Sequence, residues 1–225
     1  MLFFRQIFQL ILEETNRYFH QYTASKNTAS TSAQSPDVMI REINTFFAVI
    51  IQMGRDQHGS LKDYWSREEQ YCTPFHSNVM ARDCFFHIVR FLHFEDNDNS
   101  PSRDDPDYSR LWKIRKIFDI LNNKFCEMYN PTEHLAVDEV IVLYKGRVIF
   151  RQYIPKKRKR FGIKIYKLCD SLGYTYDMSV YLGKQRQNAT AQITATHGTV
   201  LQVIRRVEGL GHKIFMDNYF TSPAV

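Results

Sequence analysis

Apolar residues recur at helical spacing in the first half of the chain and at strand spacing in the second. Phe3, Ile7, Leu10, Ile11 and Tyr18 mark one face of a helix over residues 1–22. Arg5, Gln6 and Gln9 interrupt its apolar start, so the chain is expected to begin in a helix and not in a signal peptide. A Ser/Thr/Ala-rich stretch without periodicity, 23–35, predicts a loop. Ser35-Pro36-Asp37 reads as a helix start: a capping hydroxyl, a proline at the first position and an acid at the positive end of the dipole. Ile40, Ile43, Phe46, Phe47, Ile50 and Ile51 carry that helix to Met53, with Gly54 as its stop.

Residues 61–65 predict a short aromatic helical turn. Ser77-Asn78 reads as the cap of a helix whose apolar face holds Phe85, Phe86, Ile88, Val89, Phe91 and Leu92. Residues 95–107 place six acids and two prolines against one basic residue, which predicts a solvated loop; the glycine and closing glutamate of an EF-hand are absent. Leu111, Ile114, Ile117, Phe118, Leu121 and Phe125 predict a helix over 111–129, ended by Asn130-Pro131.

The period then changes to two. Residues 135–144, 148–154, 161–169 and 174–182 predict four strands, with Asp170-Ser171-Leu172-Gly173 as the hairpin turn between the last two. Val200, Leu201, Val203, Ile204 and Val207 predict an amphipathic helix over 199–207, and 213–216 a final short strand. The expected organisation is a helical region, 1–130, and a strand-rich region, 131–225, in an α+β or α/β architecture with a mixed sheet and a flanking helix.

Composition narrows the class. A 44% hydrophobic and 14% aromatic chain of 225 residues has enough apolar material for a core. Cys72, Cys84, Cys126 and Cys169 are scattered, without the spacing of a zinc module or a disulfide framework. No apolar run reaches the length of a membrane span. Nucleotide-binding glycine loops and the nucleophile elbow of hydrolases are absent, and no small-molecule substrate is expected.

The net charge of +6 matters less than where the charge lies. Residues 145–167 hold ten Lys/Arg and no acid, interleaved with Tyr144, Phe150, Tyr153, Phe161 and Tyr166. Lys145, Arg147, Arg151, Lys156, Lys157, Arg158, Lys159, Arg160 and Lys164 are the candidate DNA contacts, because such a run neutralises phosphates irrespective of sequence. The block 156–160 equally fits a nuclear localisation signal, and the two roles are compatible. Asp138 and Asp217 each end a short apolar run. On neighbouring strands they would share a divalent ion; taken singly, each is also a common turn former or cap.

At these residues the chain resembles the piggyBac-type transposases and their domesticated relatives. The shared segments are Leu61-Lys62-Asp63-Tyr64-Trp65-Ser66, Arg82-Asp83, Phe91-Leu92-His93-Phe94, Lys113-Ile114-Arg115, Val137-Asp138-Glu139, Tyr144-Lys145-Gly146-Arg147, Gln152-Tyr153-Ile154-Pro155-Lys156, Phe161-Gly162-Ile163-Lys164, Tyr181-Leu182-Gly183-Lys184 and Met216-Asp217-Asn218-Tyr219-Phe220-Thr221-Ser222. The resemblance implies a helical dimerisation and DNA-binding region followed by an RNase H-like fold. It implies three aspartates that bind Mg2+ or Mn2+ and cut and rejoin double-stranded DNA at transposon ends. Asp138 and Asp217 match the first two as catalytic and metal-binding residues. The family's third aspartate and its cysteine-rich module follow downstream of the Asp217 motif, whereas this sequence stops at Val225. The expectation is therefore a nuclear, DNA-binding protein, possible homodimer included, with an incomplete RNase H-like sheet and without cleavage activity of its own. The alternative is a non-catalytic, chromatin-associated module using the basic surface.

Overall fold

The computed structural model describes residues 2–25, 36–105, 108–155, 160–183, 195–218 and 220. The order of elements is α1 (Leu2–Ser25), α2 (Ile40–Met53), α3 (Pro74–Val79), α4 (Arg82–Phe91), α5 (Trp112–Glu127), β1 (His134–Leu143), β2 (Gln152–Tyr153), β3 (Phe161–Asp170), β4 (Thr175–Val180), α6 (Ala195–Ile204) and β5 (Lys213–Met216). This is the mixed α+β architecture that the switch of period predicts. The chain divides into two compact units, one of residues 1–108 and 112–117, the other of 109–111 and 118–225. The division falls inside α5 and not at residue 130.

In the helical unit, Ile7, Ile11, Phe19, Ile43, Phe46, Val49, Phe85, Ile88 and Phe91 are buried, at the spacings that gave the helices away. Two helix starts differ from expectation. α2 begins at Ile40, not at Ser35-Pro36-Asp37. Asn16 grips the backbone of Val38 through both its amide oxygen and nitrogen, at 2.9 Å each, and so holds that stretch out of the helix. The Glu42 carboxylate then accepts the Met39 amide at 2.8 Å and closes the first turn. Ser77-Asn78 lies inside α3 instead of capping α4. Pro74 starts α3 at a position where its missing N–H is not needed, and the Ser77 hydroxyl donates back to the Pro74 carbonyl.

In the second unit the strands run in the order β2-β3-β1-β5, with β4 also on β3. β1 pairs antiparallel with β3 and parallel with β5; β3 pairs antiparallel with β4. One face of the sheet carries Leu135, Val137, Tyr166 and Leu168 against Val200, Val203, Val207 and Phe220. The expected strand over 148–154 shrinks to Gln152–Tyr153. Arg151 is the cause: its guanidinium donates to the carbonyls of Lys145 and Gly146, and its own amide to Val148, which curls 145–151 into a turn. Gly162 is required where β3 meets β1, because a Cβ there would collide with the Val142 carbonyl oxygen.

Candidate functional site

The register between β1 and β5 decides the placement of the acids. His134, Leu135, Ala136 and Val137 face Lys213, Ile214, Phe215 and Met216 in order. The next residues are Asp138, still within β1, and Asp217, the first residue past the end of β5. Parallel neighbours lie about 4.8 Å apart, so the backbones of the two acids follow directly from adjacent positions on neighbouring strands. Both residues are exposed. Side chains alternate along β1, so Asp138 shares its face with Ala136, Val140 and Val142, opposite the face packed with Leu135, Val137 and Ile141.

Local structure holds each acid in place. One Asp138 carboxylate oxygen accepts the Glu139 amide at 2.7 Å. Asp217 begins a turn in which its carbonyl accepts the Phe220 amide at 2.9 Å. Phe220 is buried edge-on against Tyr166, ring centroids 5.7 Å apart, and so anchors the turn from the opposite face. Sequence reading includes Phe220 only within the shared segment Met216 to Ser222 and gives it no role; an aromatic three residues after the acid is its signal.

Lys167 of β3 stands directly across from Asp138 on the other side. It lines a shallow groove with Phe125, Val140, Ile165, Tyr174 and Met178. The open face therefore carries a row of Lys167, Asp138 and Asp217. Two hard oxygen donors beside one another suit a magnesium-like cation, which retains several waters and needs few protein ligands. Among the described residues no group of three His, Cys, Asp or Glu is placed to hold a metal.

Asp170 has a different fate. It is buried, one oxygen accepts the amides of Leu172 and Tyr174 at 2.9 Å, and the other accepts the Tyr129 hydroxyl. The Tyr129 hydrogen bond, together with the backbone amides, holds its carboxyl below the usual range. Gly173 completes this hairpin turn with φ +85°, where a side chain would be strained.

The basic candidates separate into groups. Lys145, Arg147 and Arg160 are exposed. Arg151 is exposed but engaged with the Lys145 and Gly146 carbonyls. Lys164 is 12% exposed, pairs with Glu139 at 3.7 Å and lies 4.6 Å from the centre of the Tyr166 ring, so its charge is spent within the packed face. Lys156, Lys157, Arg158 and Lys159 lie outside the described residues.

A family model described as Transposase IS4 matches residues 1–225. The human PiggyBac transposable element-derived protein 3 is 27% identical over 220 residues, 96% of this chain and 35% of its own. The human PiggyBac transposable element-derived protein 2 is 24% identical over 215 residues, 94% of this chain and 34% of its own. The chain thus spans about a third of the length of these relatives. A solved piggyBac transposase synaptic complex with hairpin DNA superposes with a TM-score of 0.83 at 30% identity, over 99% of this chain and 45% of that one.

Proposed function

From a chain that belongs to the Transposase IS4 family, in its piggyBac-type form, we propose a transposase-derived module that binds double-stranded DNA on the open sheet face and holds a divalent cation there. The observation that carries this reading is the β1–β5 register, which sets Asp138 beside Asp217 on an exposed face. The meander β1-β3-β4 with β5 parallel to β1 supports an RNase H-like catalytic scaffold. The neighbouring structure, a synaptic complex with hairpin DNA, supports DNA as the partner.

Asp138 and Asp217 would hold Mg2+ or Mn2+, which when bound polarises a phosphoryl oxygen and stabilises an attacking hydroxide. The protein's own contribution is to fix both carboxylates through the sheet register and the Phe220 anchor. Lys145, Arg147 and Arg160 supply exposed charge for the phosphate backbone. Two-ion phosphoryl transfer needs further carboxylates, and no third ligand joins the pair among the described residues. The chain by itself therefore binds DNA and metal without nicking. The run Lys156 to Arg160 supports nuclear localisation, read out by a fluorescent fusion in which alanines at 156–160 disperse the signal. Self-association through the helical unit belongs to the same reading and is measured by sedimentation.

The test is a binding and cleavage series on the purified chain with a duplex oligonucleotide. Affinity should fall linearly on a log–log plot against salt, with a slope near −0.9 for each phosphate neutralised. Charge removal at Lys145, Arg147 and Arg160 should flatten that slope. Mn2+ binding, followed by its paramagnetic broadening of water or by calorimetry, should vanish in Asp138→Ala and Asp217→Ala. An unchanged slope in the charge variant would remove DNA from this face. Magnesium-dependent nicking that disappears in Asp138→Ala would show the pair to be catalytically complete.

A further inference from the structure

The face that carries Asp138 continues along β3 toward β2. Val142 faces Ile163, Val140 faces Ile165 and Asp138 faces Lys167, so Ile163, Ile165 and Lys167 share the face of Asp138. Alternation puts Phe161 on that face as well. Tyr153 is its direct partner on β2. The two rings are stacked, with centroids 4.6 Å apart and planes 29° from parallel. Yet Tyr153 is 57% exposed and Phe161 45%.

Cross-strand aromatic pairs contribute to a sheet mainly through what they bury. Here more than half of Tyr153 stays in water. The pair nonetheless has a further neighbour. The Arg151 guanidinium lies 5.6 Å from the centre of the Phe161 ring while donating to two carbonyls of the preceding turn. Lys145, Arg147 and Arg160 are exposed nearby in sequence, and no acid occurs between 145 and 167. An exposed, stacked aromatic pair within a segment whose charged residues are all cationic suits a flat ligand attached to a polyanion.

We propose that Tyr153 and Phe161 form a stacking platform for an unpaired nucleobase of a DNA strand laid along the open face. The proposal rests on the reading that this face takes DNA. An unpaired base is specified because stacking needs a free π-face, which neighbouring bases cover inside a duplex. Sequence tolerance follows, since every base has such a face. The span from Lys167 to Phe161 is six residues of strand, roughly 20 Å. At the duplex rise of about 3.4 Å per nucleotide this span takes about six nucleotides, and fewer in an extended unpaired strand, so a six-nucleotide tail reaches the pair from the position beside Asp138.

The experiment compares the full chain's binding to a blunt duplex with binding to the same duplex bearing a six-nucleotide single-stranded tail, 2-aminopurine marking the last base. The native chain should bind the tailed duplex on the order of tenfold more tightly and change the fluorescence of the marked base. Tyr153→Ala and Phe161→Leu should bring the two affinities together, and Tyr153→Phe, which retains the ring, should restore the preference. Circular dichroism of each variant separates loss of stacking from loss of fold. Equal, salt-dependent binding of both duplexes by the native chain would overturn the platform and leave the DNA reading of the face intact. A preference that survives in folded Tyr153→Ala would also overturn it. Binding of neither duplex would sink both readings.

Discussion

Asp138 lies in the middle of β1, Asp170 ends β3 and Asp217 follows β5, and their surroundings give them different work. Asp170 spends both oxygens on the protein: two backbone amides on one, the Tyr129 hydroxyl on the other. Asp138 spends one oxygen on a neighbouring amide. A residue whose bonds are internal serves stability, and its removal leaves part-buried donors without their acceptor. Asp170→Ala is therefore expected to lower the melting temperature, whereas Asp138→Ala leaves it nearly unchanged and removes metal binding. A melt that drops for Asp138→Ala and not for Asp170→Ala would reverse the two roles. The sign with pH follows from the same hydrogen bonds. Because the folded Asp170 carboxyl titrates below its unfolded value of about 3.9, its stabilisation is present above that pH and is lost as pH falls further.

A second residue-scale consequence concerns thiols. Burial, and then the Glu42 carboxylate, push Cys84 up to about 11. Its thiolate is therefore scarce at neutral pH, while Cys72 is exposed. Alkylation at pH 7.5 followed by mass mapping should mark Cys72 first and Cys84 last; early labelling of Cys84 would contradict its burial.

At the scale of elements, the exposed edge of a sheet is a liability, and β4 shows how this chain manages one. Asn122 of α5 donates to the Met178 carbonyl and accepts the Met178 amide at 3.0 Å, so a side-chain amide replaces the missing strand. The same Asn122 nitrogen reaches Asp177 at 2.6 Å, and Asp177 pairs with Arg206 at 2.9 Å. Asn122→Ala removes all of these partners from a buried position, at a cost of roughly 1–3 kcal/mol. Chemical denaturation checks it; a loss below about 0.5 kcal/mol would mean that water replaces the amide. Helical period showed α5, Val/Ile/Leu content showed β1, alternation showed β3, and Gly173 and Gly183 bounded β4. The clamp was not legible, because an asparagine inside a helix does not announce which backbone it will meet. For the same reason 148–154 read as a strand: its pattern alternates, and only the carbonyls near Arg151 turn it into a loop.

At the scale of the molecule, the helical unit concentrates neutral histidines. His76 is fully buried with no hydrogen bond at either ring nitrogen, its Nδ1 4.0 Å from Asp56. Burial pushes His76, His87 and His93 down. Each stays neutral in the fold but takes a proton when unfolded below about pH 6.5, so stability is present above that pH and falls as pH drops below it. Glu14, raised by burial, has the opposite sign, losing stability as pH rises from about 4.3, below the histidine window. Thermal melts should therefore decline between pH 7 and 5.5, with a shallower slope in His76→Gln. A flat profile in the native chain would remove the histidines from this role.

The sequence by itself determined most of the elements and singled out the two acids. Period, cap and turn residues are local properties, and the family match spans the segments around Asp138 and Asp217. Asp170 likewise read as a turn residue before its bonds were seen. What only tertiary structure decided is which charges remain available and which residues become neighbours. Lys164 and Arg151 look the same as Lys145 in a linear run, but one is paired under the sheet and the other holds a turn. Asp138 and Asp217 became a pair because β5 lies beside β1 in a register that ends at Val137 and Met216. Register is a property of two strands, set by which faces are buried, and neither strand alone contains it.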